Sequence, residues 1–346
     1  MRIEDTDPAR HAGIEYPMEV GAPVFAPIKV VEEKDKAVNV ARQNAKLEYE
    51  RIMEQAEVLQ LALELKANRF AHQPFAGPQT VAVIFDKTST RTRVSFAVGI
   101  SDLGGVPLII DSGSSQLGKK ESVADTARVL ERQVAQIVWR TYAQAGLEEM
   151  AANSRVPVIN SLSDDWHPCQ LLADLLTIRE EFGKTEGLKL AYIGDAANNM
   201  GNSYLVACAL AGMSVSVAAP QGFQPEADVV ARAQAIANQF GQRIEVFEDP
   251  ASAVSGADVI ATDTWVSMGM EAEKEQRVKT FTGYTVDQAL MAKAKDSAIF
   301  LHCLPAYRGY EVAADVIDGP QSRIWDEAEN RLHAQKALML WLSRQH

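Results

Sequence analysis

The chain reads as an α/β protein with two doubly wound parallel-sheet domains joined by interdomain helices. Three observations predict this. Short apolar runs alternate with helical stretches after Gly77-Pro78. The alternation starts again at Leu188, so it occurs twice. Between the two series, Pro168 to Phe182 forms one helical stretch with Leu171, Leu172, Leu175 and Leu176 on its apolar side, a natural connector.

The elements follow in order. Residues 1–34 carry Pro8, Pro17, Pro23 and Pro27 without a clear period and read as an irregular arm. From Asp35 to Ala67 no Gly or Pro interrupts, and Ala45, Tyr49, Ile52, Ala56, Leu59 and Leu63 step by four and three along one helix face. That face is expected against the core or a second subunit. Val81 to Phe85 is a strand, followed by a helix from about Thr90 through Phe96 and Ile100. Val106 to Ile110 is the next strand, then a helix from Ser122 to Arg132, then strands at Ala135 to Trp139 and Val156 to Ile159. The second series has strands at Leu188 to Ile193, Ser214 to Ala218, Ile244 to Phe247, Val259 to Ala261 and Ala298 to His302. Asp326 to Arg344 is helical and can cross back to the first domain. The expected domains are 35–166 with 329–346, and 167–328.

With 346 residues, 47% of them apolar and 23% charged, the chain has material for about two domains and a sizeable core. A net charge of -12 argues against nucleic acid or an anionic membrane as partner, though a local basic pocket can still take an anionic substrate. Cys169, Cys208 and Cys303 are odd in number and lack a Cys-x-x-Cys, which fits a reducing cytoplasm. No apolar run reaches membrane-spanning length, and the acidic N-terminus supports neither a secretory signal nor a transit peptide.

Phe85 to Arg93 follows a strand and opens a helix, so unpaired backbone N–H groups and the positive helix end point at one spot. Ser89, Thr90 and Thr92 add hydroxyls and Arg91 adds a charge-assisted fork, making phosphate a natural occupant. For Ser-Thr-Arg alone, an ordinary N-cap is the plainer alternative. No Gly-x-x-x-x-Gly-Lys occurs, so ATP or GTP is not implied. Arg140 follows a strand, where ligands of open α/β sheets sit, although a surface salt bridge would also explain it. His167 precedes a helix start, with Gln170 in its first turn. His167 can donate to a carbonyl oxygen that gains charge, or merely cap the helix.

Gly194 to Gly201 follows a strand but does not fit Gly-x-Gly-x-x-Gly, so Asn199 reads as an amide that grips a small amino acid. Asp263, just past another strand, can pair with a substrate ammonium. His167, Cys169, His302 and Cys303 invite a zinc reading. Adjacent strand residues point to opposite faces, however, and no Cys-x-x-Cys or His-x-x-x-His is present, so no metal is expected. A Cys–His nucleophile stays open beside the simpler idea that the substrate brings its own nucleophile.

Taken in order, Phe85 to Arg93, Ser115-Gln116, His167 to Gln170, Asp195 to Ser203, Asp263 to Gly269, His302 to Pro305 and Asp326 to His333 resemble the ornithine carbamoyltransferases. The match runs from about residue 54 to the end, and Val266 to Gly269 separates it from the aspartate enzymes. The resemblance implies transfer of the carbamoyl group from carbamoyl phosphate to the side-chain amine of L-ornithine, giving L-citrulline and phosphate in arginine metabolism, without a cofactor. By position, it implies that Ser89, Thr90, Arg91 and Thr92 hold the phosphate, with Arg140 reaching it. Gln116, near Lys119, belongs to a loop that reaches a neighbouring subunit's site in the family. Thr92, Arg140 and His167 surround the carbamoyl oxygen, Gln170 and the Leu304 backbone bind the amine, and Arg331 closes the site. Asn199, Asp263, Ser267 and Met268 bind ornithine, and Cys303 with Asp263 orients its amine. Arg140, His167, Asp263 and Cys303 form the implied catalytic set, in a homotrimer or a multiple of trimers.

Two features depart from the family. Residues 1 to about 50 do not match its usual short start, and Ala97 stands where Glu is common, which is expected to weaken stability or substrate affinity modestly. The alternatives are a carbamoyltransferase for another amine, or a catalytically silent paralogue that binds or regulates a partner. Asp263 with Ser267-Met268 counts against the first, and intact Arg91, Arg140, His167, Asp263 and Cys303 count against the second.

Overall fold

The computed structural model describes residues 34–111, 120–266 and 271–345, the side chains of 34–50 and 271 excepted. The first lobe runs α1 (Lys34–Ala67), β1 (Thr80–Phe85), α2 (Thr90–Asp102), β2 (Val106–Asp111), α3 (Val123–Leu130), β3 (Gln136–Arg140), α4 (Gln144–Ala152) and β4 (Val158–Leu162). Helix α5 (Pro168–Phe182) leads into the second lobe. There β5 (Lys189–Ile193), α6 (Asn199–Leu210), β6 (Ser214–Ala218), α7 (Ala227–Ala237), β7 (Ile244–Phe247), α8 (Pro250–Val254) and β8 (Val259–Thr262) come first. Then follow α9 (Lys274–Thr280), α10 (Gln288–Met291), β9 (Ile299–His302), α11 (Ala314–Ile317) and α12 (Ile324–Gln345).

Both sheets are wholly parallel, ordered β2-β1-β3-β4 and β7-β6-β5-β8-β9. Each reverses its winding once, between β1 and β3 in one sheet and between β5 and β8 in the other. Crevices open at the carboxyl ends of strands at such points. The inner strands are continuous apolar runs because helices cover both faces, and Val81 through Phe85 are all buried.

Two helices differ from expectation. The buried stripe of α1 is Gln55, Val58, Leu59, Leu61, Ala62 and Leu65, so Leu59 is buried as expected, while Ala56 is exposed and Ile52 and Leu63 are only half-buried. The stripe is turned because α1 faces α12 and α5 together, and Gln55 Nε2 donates to the Ala207 carbonyl at 3.3 Å. Ala45 and Tyr49 lie outside the described side chains. Helix α5 buries Pro168 through Ile178 on every side, including Gln170, Asp174 and Thr177, because it lies between the lobes. Helix α12 returns to the first lobe, where Gln136 Nε2 donates to the Met339 carbonyl at 2.9 Å and the buried Lys336 pairs with Asp102 at 3.1 Å. Ala97 is half-buried on α2. No helix of the described residues is long and apolar enough to cross a membrane.

Candidate active site

The carboxyl ends of β1, β3, β4, β5, β8 and β9 border one cavity of about 260 Å³, lined by Arg140, His167, Asn199, Asp263, Cys303 and Leu304 among others. On the first lobe Ser89 caps α2, accepting from Thr92 N at 3.3 Å while its hydroxyl meets Thr92 Oγ1 at 3.0 Å. Thr90 is exposed at the same helix end. Arg91 Nη2 donates to the Leu304 carbonyl at 2.7 Å, across the gap between lobes. Arg331, from α12, donates to Thr92 Oγ1 at 3.0 Å and to Gln170 Oε1 at 2.6 Å. Arg140 is buried, and its Nε meets no acceptor among the described residues. Burial, together with Arg331 and Arg91, pushes the Arg140 guanidinium down to about 10, partly offset by Cys303. Three guanidiniums thus share a space in which like charges repel, and an anion relieves that cost.

His167 is the N-cap of α5 but its ring makes no capping bond, which removes the helix-cap alternative. Pro168 fills the first helical position, where its missing N–H costs nothing. Burial, then Arg331, Arg140 and Arg91, holds the imidazole well below its usual range, so it is a neutral N–H donor.

On the second lobe Asn198 caps α6, accepting from Met200 N at 2.9 Å and Gly201 N at 3.0 Å. Asn199, beside it, donates to the Ser163 carbonyl at 2.8 Å. The Cys303 thiol donates to Asp263 Oδ1 at 3.2 Å. Burial raises both groups, which keeps Cys303 a thiol and makes Asp263 the better proton acceptor. Cys303 therefore lacks the low pKa of an activated nucleophile, and its partner is a carboxylate, so the Cys–His alternative fails.

The opposite-face argument against a metal fails too. Asp263, His302 and Cys303 bring potential ligand atoms within 4.8 Å of one another, because β9 ends at His302 and the chain turns through Leu304 at φ 57°. The chemistry nevertheless suits a metal poorly. Leu304 N donates to His302 Nδ1 at 2.9 Å, and Nε2 faces Glu311 Oε1 at 3.3 Å. A backbone N–H can only donate, so Nδ1 accepts, Nε2 carries the hydrogen, and neither is free. Cys169 lies elsewhere, donating to the Asn160 carbonyl at 3.3 Å, its thiol pushed up to about 12 by burial.

Of the residues expected in the site, Gln116, Ser267 and Met268 lie outside the described residues; Arg140, His167, Asn199, Asp263, Cys303 and Leu304 border the cavity, and Arg91 and Gln170 bond to Leu304 and His167. Arg331, Thr92 and Ser89 join that set only in succession behind Gln170, and Thr90 is exposed with no bond to the cavity's residues among those described. Sequence reasoning missed a supporting layer. Arg277 donates to the Trp265 carbonyl and pairs with Asp195, stacking over Phe223 at 5.0 Å and Phe281 at 5.7 Å. Lys87 pairs with Asp164 at the mouth. Asp174 and Glu327 are buried acids beneath the site, and the buried Glu311 lines the cavity. Lys87, Asp195 and Glu327 fall within the Phe85 to Arg93, Asp195 to Ser203 and Asp326 to His333 segments, the signals that pointed toward this layer.

Comparison with known proteins gives a consistent result. Residues 44–180 match the carbamoyl-P binding domain of the aspartate/ornithine carbamoyltransferases, and residues 186–342 match their Asp/Orn binding domain. The chain is 66% identical over 292 residues to the ornithine carbamoyltransferase of Clavibacter sepedonicus, covering 84% of this chain and 95% of that protein. It is 67% identical over 293 residues to that of Renibacterium salmoninarum, covering 84% and 94%. Its fold is similar to the ornithine carbamoyltransferase structure from Pyrococcus furiosus, with TM-score 0.80, 46% identity and coverage of 83% and 92%. The structure of the anabolic enzyme from Campylobacter jejuni gives TM-score 0.80 at 40% identity, covering 85% and 96%.

Proposed function

The chain belongs to the aspartate/ornithine carbamoyltransferase family, and on that premise we propose how its own residues divide the work. The reaction transfers the carbamoyl group of carbamoyl phosphate to the side-chain amine of L-ornithine, giving L-citrulline and phosphate. Ser89, Thr90, Arg91 and Thr92 hold the phosphate with Arg140, and Arg331 closes over it. Thr92, Arg140 and neutral His167 donate to the carbamoyl oxygen. Gln170 Oε1 and the Leu304 carbonyl accept from the carbamoyl amine. Asn199 and Asp263, with Ser267 and Met268, bind ornithine, and Gln116 serves a neighbouring subunit.

An alkyl ammonium has a pKa near 10.4, so the attacking amine must be bound neutral, beside an acceptor and away from water. Asp263, raised by burial and oriented by Cys303, supplies that acceptor. The amine nitrogen bonds to the carbonyl carbon, and the oxygen gains charge opposite Arg140 and His167. The bond to the phosphate oxygen then breaks, and the departing phosphate takes the proton shed by nitrogen. Losing one donor to such an oxyanion typically costs about 2.7–4 kcal/mol.

The single observation that carries this reading is the meeting of Arg91, Arg140 and Arg331 at one end of the cavity. Arg91→Ala, assayed for citrulline at limiting carbamoyl phosphate, should lose most of its turnover. Turnover equal to the parent's would defeat the assignment.

The domains we propose are 35–166 with 329–346, and 167–328, after an arm at 1–34. The return of α12 to Thr92 and Gln136 supports that division. We also propose a cytoplasmic homotrimer or multiple of trimers. Edge strand β2 exposes Val106 and Leu108, and α2 exposes Val94, an apolar surface suited to a second copy. Sedimentation of the full chain tests the assembly.

A further inference from the structure

Gln170 is gripped by its amide end, and two acids do the gripping. Its Nε2 donates to Asp174 Oδ1 and to Glu327 Oε1, each at 2.8 Å. Its Oε1 accepts from Arg331 Nη1 at 2.6 Å. Turning the amide over would set an NH₂ against a guanidinium and a carbonyl against two carboxyls, so one orientation is fixed. The second oxygen of Glu327 accepts from the His302 backbone N–H at 2.8 Å, anchoring the turn that carries Cys303 and Leu304. Gln170, Asp174 and Glu327 are all at most 1% exposed, so no water competes for these bonds.

We propose that Asp174 and Glu327 are positioning residues that set donor specificity: by engaging both amide hydrogens of Gln170 they aim its carbonyl oxygen, alongside that of Leu304, at a donor whose acyl group carries N–H. The inference rests on the reading that Gln170 meets the carbamoyl amine. After Arg331 and Arg91 are served, each of these carbonyl oxygens keeps a second lone pair for that amine. Acetyl phosphate carries the same phosphate and carbonyl with a methyl in place of the amine. It offers these oxygens no hydrogen and leaves the second lone pair of each without a donor, a loss by which buried polar sites discriminate.

The acids suit this task better than amides would. Burial raises both carboxyls, Asp174 to about 6 and Glu327 well above its ordinary value. A proton held between them still leaves each an oxygen to accept from Gln170. A glutamine at 327 that keeps its oxygen on the His302 N–H turns its own NH₂ toward Gln170. Gln170 then meets an N–H where it had an acceptor, opposed by Arg331 and Asp174 on its other contacts, so its single orientation is no longer enforced and its oxygen is less firmly aimed at the carbamoyl amine.

The test is calorimetric titration of the full chain with carbamoyl phosphate and, separately, acetyl phosphate. It compares the parent with Glu327→Gln, Asp174→Asn and Gln170→Leu. The readout is the ratio of the two dissociation constants. Glu327→Gln should lower the preference for carbamoyl phosphate by about tenfold. Asp174→Asn should lower it less, with acetyl phosphate affinity nearly unchanged in both. If Gln170→Leu abolishes the preference while both acid variants keep it, the proposal is wrong. Equal losses for both donors would also overturn it, since they mark a merely structural role. If Gln170→Leu itself keeps the preference, the reading of Gln170 fails first. Should Glu327→Gln not fold, the ratio in Asp174→Asn decides, and an unchanged value overturns the proposal.

Discussion

Arg331 and Thr92, 239 residues apart in the chain, meet at 3.0 Å between Nη2 and Oγ1. The contact joins the last helix to the N-terminal end of α2, where we propose the phosphate binds. Arg331→Met keeps the packing volume but deletes a charge-assisted donor. Carbamoyl phosphate affinity is expected to fall roughly 100-fold, measured by titration calorimetry. The melting temperature should move little by comparison, because removing one of three crowded cations also relieves repulsion.

In the proposed assignment Asp263 and Cys303 serve the other substrate. Asp263→Asn keeps the shape but removes the proton acceptor, so kcat should drop by about 10²–10⁴. Cys303→Ser retains a donor to Asp263 and should lose less. Carbamoyl phosphate binding, measured without ornithine, should be unchanged in both variants.

His167 stays neutral across the assay range because its folded value lies well below the ordinary one. The rise of kcat/KM for ornithine with pH therefore belongs to the amine, which loses its proton toward about 10.4. His167→Asn keeps a neutral N–H donor. It should lower kcat while the shape of the profile from about pH 6 to 9 stays the same. A displaced acid limb would assign that limb to His167 instead.

Asp174 gives a stability signature. Its folded value is raised to about 6, so between its unfolded value and that point the folded chain binds more protons than the unfolded one. Stability from this group is full at low pH and is lost as pH rises through the folded value. Asp174→Asn should flatten that decline, as read by urea unfolding at about pH 4 and pH 7.

Gly201 packs against the backbone of its own turn. A Cβ there would sit 2.3 Å from the Ala196 carbonyl oxygen, and backbone cannot give way as a side chain can. Gly201→Ala should cost about 1–3 kcal/mol of stability and raise the KM for ornithine, because Asn199 sits at the same helix start. Thermal melting and steady-state kinetics check the two effects.

Much of the site was legible from residue types at short spacing. Ser89 to Arg93 follows an apolar strand, and a helix that starts there must aim its N–H groups at one place. The apolar runs of β1, β3, β5 and β8 were equally plain, because strands covered on both faces need no polar residues. The stripe of α1 was misjudged because two helices, not one, share its contact surface. Asp174 and Arg277 were missed because a polar residue in a helical pattern looks the same whether it faces water or a docked lobe.

The sequence by itself determined the two series of strands, the chemistry available at their ends and the family. Tertiary structure alone decided which ends share a cavity, which way the Gln170 amide points and which acids lie buried beneath it. Local spacing records what a residue can do. Burial and the decisive partners of Gln170 come from far along the chain, Glu327 and Arg331 lying 157 and 161 residues away, and they set protonation and orientation.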